Sequence, residues 1–330
     1  MKDAKLNEAE AMLYFKKLAR KLDVNYPIKI DFDYSTSVDS LVTTSWEHTP
    51  NSVHLILKNP TKSGLTHECL ELKLIQNGTP LVAPFFVWKN ILRSDVNVYS
   101  FFHEIYKLVV GSTAQNMFLH PQVYSLFLKH SKREFLFNDL SSRIDELFHG
   151  TKRLKKNMSA PAFLRICSDL KIPDITTVID IAQLLDFATT EIAIGKYDVD
   201  LLDRFESNLG NSIKDYIGGN KYCRLREHAA EFFDIKQKDL TFDRLEPYID
   251  KTFSLFGFDK PYYVLISYPV KRKFSFSNIF GPKKELEHYN IYAAIDERTK
   301  NELRKKDSEI YSSPYFRKGK ILQKRDPAEI

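Results

Sequence analysis

The 330-residue chain predicts an α+β fold. It divides into a helix–strand–strand–helix segment over residues 1–150, a mainly helical segment over 151–260, and a basic C-terminal strand and helix region over 261–330. Three observations carry this reading. "YPIKIDFDYS" and "NSVHLILKN" alternate apolar and polar residues, the two-residue period of half-buried strands. From about Lys155 to Phe258 apolar residues recur at helical spacing in five runs separated by Pro, Gly or Asn. After Pro261, "YYVLISYPV" and "KFSFSNIF" return to a strand-like pattern.

Element by element, Leu6, Ala9, Leu13, Phe15, Leu18 and Leu22 mark a first helix, capped by Asn7 or Asp3. Ile28, Ile30, Phe32 and Tyr34 share one strand face, and Val53, Leu55 and Leu57 share another. Pro60 and Gly64 turn the chain into a second helix, with Thr66 as N-cap and Asn77-Gly78 as its stop. Pro80 and Pro84 predict an irregular connection. "VYSFFHEIYKLVVG" (98–111) and "STAQNMFLHPQVYSLFLKHS" predict two more helices, the latter broken or restarted at Pro121. "TKRLKKN" (151–157) reads as a charged linker. Residues 283–306 read as a polar helix, and the chain end as loose.

Bulk properties narrow the function. Hydrophobic residues make up 43% and charged residues 28%, a globular balance. With 11 Gly and no G-x-G-x-x-G or G-x-x-x-x-G-K-[ST] run, a phosphate-cradling loop is not expected. Neither is a nucleophile elbow, because no G-x-S-x-G occurs. Cys69, Cys167 and Cys223 stand apart with no C-x-x-C pair, which points to a reducing compartment. The N-terminus lacks the apolar stretch of a signal peptide, and no run of about 18 apolar residues occurs. The expectation is a cytoplasmic protein with no membrane segment. Residues 271–330 hold 15 Lys and Arg against 9 Asp and Glu, so the charge excess lies in the tail. A solvated surface is the preferred reading of that tail, and nucleic-acid contact the second.

The sharpest feature is "GLTHECLELKLIQNG" at 64–78. The usual zinc helix reads H-E-x-x-H, with two histidines one turn apart and a glutamate as general base. Here His67 and Glu68 are followed by Glu71 where the second histidine belongs. Residues four apart share a helical face, so His67 and Glu71 can ligate one ion, and zinc accepts both imidazole nitrogen and carboxylate oxygen. A third ligand must come from elsewhere. His120 is the first choice, with Glu104 and His103 as alternatives.

The order helix, strand, strand, then a helix with "LTHECLEL" resembles the zincin metalloproteases, in particular the short IrrE/ImmA-like branch. The resemblance covers about residues 1–130 and makes the N-terminal segment zincin-like. It implies His67 as a metal ligand, Glu68 as general base and His120 as third ligand, with zinc as cofactor and a protein or peptide as substrate. Glu71 departs from the family pattern and puts metal affinity in question. Two functions follow: an intracellular zinc peptidase, or an inactive zincin-like scaffold that binds protein or nucleic acid. His103 reads as a flanking structural histidine, and Cys69 as a small buried hydrophobe. His130, His149, His228 and His288 lack partners at metal spacing.

Overall fold

The computed structural model describes residues 4–24, 28–33, 45–49, 52–79, 81–92, 94, 119–142, 144, 161–233, 242–267, 290–294 and 320–322. The protein is α+β and mostly helical. Helix α1 (Glu8–Lys21) starts at a capping box: Asn7 accepts from the Glu10 amide, and Glu10 accepts from the Asn7 amide. Its inward stripe is Ala11, Phe15, Leu18 and Leu22. Leu13, assigned to that stripe from the sequence, is 72% exposed.

Strands β1 (Ile28–Phe32), β2 (Ser45–Thr49) and β3 (Ser52–Leu57) form a sheet in the order β1-β3-β2. β1 runs parallel to β3 and β2 antiparallel. The alternation in β1 is real: Lys29 and Asp31 face solvent while Ile28, Ile30 and Phe32 pack inward. Strand β2 is an addition to the sequence reading. "SWEHT" is polar at four of its five positions, so its pairing with β3 is a tertiary choice that the pattern does not announce.

Helix α2 (Lys62–Gln76) carries the motif. It begins five residues before the expected start. Thr61, not Thr66, is the N-cap, accepting from the Gly64 amide at 3.1 Å. Thr66 lies inside the helix, where its hydroxyl bonds back to the Lys62 carbonyl and meets Tyr14 Oη at 2.9 Å. The Asn77-Gly78 stop holds, with Gly78 at φ 87°. Twelve consecutive residues from Ser63 to Leu74, and Ile75, include only Lys73 with partial exposure. α2 is therefore a core helix, covered on all sides.

Residues 81–88 correct a second expectation. They form strand β4 (Leu81–Trp88), not an irregular connection. Its pairing with β5 (Pro261–Ser267) shifts register between Val82 and Phe86, which accommodates Pro84 as an irregularity in the strand. Trp88 anchors this pairing: it is buried, donates Nε1–H to the Asp259 carbonyl at 2.9 Å and meets Phe253 edge-on at 5.3 Å. β5 lies between β4 and β6 (Asn290–Ala294), so both its edges are paired. β6 overturns the polar helix expected over 283–306, and β7 (Lys320–Leu322), parallel to β6, gives structure to an end expected to be loose. Cross-strand pairing decided both, beyond the reach of local periodicity.

The short helix α3 (Lys89–Leu92) follows β4. Helix α4 spans 119–130 and α5 spans 133–142. Then come α6 (Pro161–Asp169), α7 (Ile175–Tyr197), α8 (Val199–Phe205), α9 (Asn211–Ile217), α10 (Gly219–Phe233) and α11 (Phe242–Leu255). The run over 198–219 is helical from Val199 to Ile217, with α8 passing into α9 through one π-helical turn at Glu206–Gly210. α7 is apolar nearly all round and sits at the centre of this half. One hydrophobic core extends from Ala11 in α1 to Phe253 in α11. Among the described residues no helix is long and apolar enough to cross a membrane. The helix expected over 98–111, with His103 and Glu104, the linker over 151–157, the strand over 273–280, His149 and His288 lie outside the described residues, as does most of the basic tail.

Candidate metal centre

On α2 the four-residue spacing places His67 and Glu71 on one face. On α4 His120 precedes Pro121 and turns its ring toward that face. The three side chains meet in the interior. His67 Nε2 lies 3.0 Å from His120 Nε2 and 3.1 Å from Glu71 Oε1, and His120 Nε2 lies 3.2 Å from the same oxygen. A triangle with these sides leaves a point about 1 Å off its plane that is about 2.0–2.1 Å from every corner, the distances zinc makes to nitrogen and oxygen. Among the described residues this trio is the group that could hold a metal ion.

A carboxylate stands behind each ring within ion-pair distance. His67 Nδ1 faces Asp139 Oδ2 of α5 at 3.1 Å, and His120 Nδ1 faces Asp186 Oδ1 of α7 at 2.6 Å. Tyr124 Oη lies 3.2 Å from the same His120 nitrogen, one helical turn along α4. The rings cross edge-to-face, 4.6 Å apart at 88°. A neutral imidazole carries one N–H. If Nδ1–H points at the carboxylate, Nε2 is a lone pair. Two nitrogen lone pairs and a carboxylate oxygen then converge at 3.0–3.2 Å with no hydrogen among them. Only a cation, either a metal or an added proton, satisfies such a cluster.

Charge argues the same way. Glu68, Glu71, Asp139 and Asp186 are each under a tenth exposed. Buried carboxylates are costly unless compensated. Burial alone would raise the Glu71 carboxyl. When His120 and His67 are protonated, their contacts and charge outweigh it and draw the group down to about 2. The donor set of two imidazoles and one carboxylate suits a catalytic divalent metal. Glu68, one residue along α2 and about 100° round the helix from His67, is buried beside this trio in sequence without belonging to it.

Of the residues singled out from the sequence, His67, Glu71 and His120 come together, and Glu104 and His103 lie outside the described residues. Asp139, Asp186 and Tyr124 were not foreseen. A signal existed for Asp186: it interrupts the apolar run "ITTVIDIAQLLDFATTEIAIG", where a buried carboxylate needs a partner. Asp139 had none. Cys69 is buried, and burial pushes its thiol up to about 12, as expected of an inert side chain. His228 serves structure: it bonds Thr252 Oγ1 at 2.9 Å and stacks on Tyr248. Burial pushes it down to about 4. Comparison with protein-family models, with curated proteins and with solved structures finds no match to this chain.

Proposed function

We propose that the chain is a zinc-dependent peptidase with His67, Glu71 and His120 as metal ligands and Glu68 as general base. The observation behind this is the convergence of three buried ligand atoms at 3.0–3.2 Å, each imidazole backed by a carboxylate. A zinc ion there would supply Lewis acidity, acidifying water and polarising a scissile carbonyl. The chain's residues supply the rest. Glu68 takes the proton of the attacking water and returns it to the leaving amine. Asp139 and Asp186 hold the rings, and the covered interior around α2 limits competing water. The sequence motif "LTHECLEL" on a helix that follows α1 and the β1–β3 sheet supports the zincin likeness, and with it a peptide bond as substrate.

A second reading is favoured by one observation. All three ligands are at most 2% exposed and Glu68 is 7% exposed. A metal so enclosed can serve as a structural clamp, leaving a scaffold that binds protein. Metal analysis of the full chain followed by Glu68→Gln separates the two. The peptidase reading expects about one zinc per chain, lost in His67→Ala. It also expects Glu68→Gln to retain zinc while losing cleavage of an unfolded casein-type substrate by two orders of magnitude or more, about the worth of a general base. Zinc retention with no cleavage by wild type leaves the clamp; absence of zinc under saturating conditions ends both.

A further inference from the structure

The helical half holds a cavity between α7, α8 and α10 of about 550 Å³, a size that encloses a small molecule. None of its lining residues belongs to the metal trio. Ile192, Gly195, Leu202 and Ala230 give it apolar walls. Lys196 and Glu227 add one charge of each sign, and the remaining charged groups are Glu191 and Arg226. We propose that this cavity binds a small primary amine on a short apolar body, with the ammonium group seated on the Glu191 carboxylate and the body against the walls.

Glu191 is fully buried, and its two oxygens are unequally provided for. Oε2 accepts from the Tyr222 hydroxyl. Oε1 is out of water yet accepts no hydrogen bond from the described residues. Arg226 Nη1 stands 3.4 Å from it, at the end of a half-exposed side chain that can turn outward and leave the oxygen to a ligand. A buried carboxylate oxygen without a donor is costly, and a bound donor removes that cost. Beside it, Glu206 opens the π-helical turn between α8 and α9 and interacts with Glu191. Single π-helical turns inside α-helices recur at functional sites. The charges select the ligand. A carboxylate would meet two like groups, Glu191 and Glu206. An alcohol supplies a donor without charge, whereas an ammonium group supplies both. Arg226 and Tyr222 from α10, Lys214 from α9 and Glu206 set the ionisation of Glu191. Burial outweighs the cations and raises the carboxyl to about 7. The amine binds the ionised form, and the Glu191 proton leaves to solvent. Affinity should therefore rise about tenfold from pH 6 to 8, following the ionised fraction. An alkylammonium, like lysine, stays charged over that range.

The test titrates the full chain with hexylamine, hexanol and hexanoate at pH 6 and 8, by calorimetry. Cys223 lines the cavity and is exposed, whereas Cys69 and Cys167 are buried, so protection of its thiol from a labelling reagent reports occupancy. Hexylamine is expected to bind, to protect Cys223 and to bind about tenfold tighter at pH 8 than at pH 6. Hexanol and hexanoate should bind more weakly at pH 8. Glu191→Gln keeps the shape and removes the charge. It should weaken hexylamine about 10–100-fold at pH 8, the worth of a hydrogen bond to a charged group, and abolish the pH dependence. Ala230→Phe fills the cavity from α10 with Glu191 in place, so it should abolish protection by hexylamine, and it carries the test where Glu191→Gln fails to fold. Hexanol binding as tightly as hexylamine, hexanoate binding tighter, protection that persists in Ala230→Phe, or no protection of wild type by hexylamine overturns the inference.

Discussion

Two buried carboxylates, Glu71 on α2 and Glu191 on α7, are shifted in opposite directions. Glu71 is 2% exposed and is drawn down to about 2. Glu191 is 0% exposed, and burial pushes it up to about 7. Desolvation is the first influence on both, so burial does not explain the difference; the partners do. Glu71 lies 3.1 and 3.2 Å from the Nε2 atoms of two enclosed imidazoles, whose positive charge favours its ionised form. Glu191 accepts from the Tyr222 hydroxyl and shares a hydrogen bond with a second carboxyl, Glu206, which raises it further. Its cationic neighbour, Arg226, has Nη1 3.4 Å away and is 46% exposed, so its attraction is screened. The Glu191 cluster settles its charge by taking a proton. Around Glu71 two imidazole nitrogens and a carboxylate oxygen meet within 3.2 Å, a group that could hold a metal ion, and that sets it apart from the Glu191 cluster.

The largest expected difference is the response to metal. Zinc at a thousandfold excess over its dissociation constant adds about 4 kcal/mol to folding stability if it binds only the native chain. Wild type and Glu191→Gln should both show that rise in melting temperature, reversed by chelator. His120→Ala should show none. A zinc-induced rise that persists in His120→Ala would move the metal elsewhere and dissolve the comparison.

The sequence made the first cluster legible and hid the second for one reason: helical spacing. His67 and Glu71 are four apart, so a single-helix rule finds them, and His120 entered as first choice over Glu104 and His103 although spacing distinguishes none of the three. Asp139, Tyr222 and Arg226 are set by which helices pack together, which no local pattern records. The strands divide likewise. β1 and β3 alternate and were legible. β2, β4, β6 and β7 are defined by cross-strand partners far along the chain, so "LVAPFFVW" read as a loop because of its prolines, and residues 290–294 read as helix. At α2 the existence of the helix was right and its start was wrong, because Thr61 and Thr66 are equally good caps in isolation.

A smaller difference should appear with pH. Glu191 has a folded value of about 7 against 4.5 ordinarily, so the native state holds its proton more tightly. Its contribution is fully present below about 4.5 and is lost as pH rises through 7. Glu191→Gln stays neutral and loses nothing over that window. The stability of the variant relative to wild type should therefore climb between pH 4.5 and 7, by about 1–3 kcal/mol. Glu71 has the opposite sign: its contribution is present above 4.5 and lost as pH falls toward 2. In metal-free protein Glu71→Gln should flatten the acid limb alone. Denaturant melts across pH 2–8 check both; two variants with the same pH profile would mean that partners do not set the sign.

The smallest effect concerns the residue that departs from the zinc-helix pattern. Glu71→His replaces a carboxylate by an imidazole on the same face of α2. The change removes one negative charge from a cluster that already holds Glu68, Asp139 and Asp186, so the site stays anionic. It adds a nitrogen donor, which suits zinc better than a hard oxygen, and a set of three histidines is an accepted catalytic combination. Zinc affinity should rise on the order of tenfold, about 1.4 kcal/mol. The buried position works against it, because the new ring must find an acceptor for Nδ1–H where Glu71 needed none. Competition with a chelator reads the balance. Tighter binding with wild type also binding makes Glu71 a working ligand that the pattern improves upon. Binding by Glu71→His alone marks a scaffold whose metal has been given up. Weaker binding by the variant would show that charge, not donor type, holds the metal, and that Glu71 is suited to this interior as it stands.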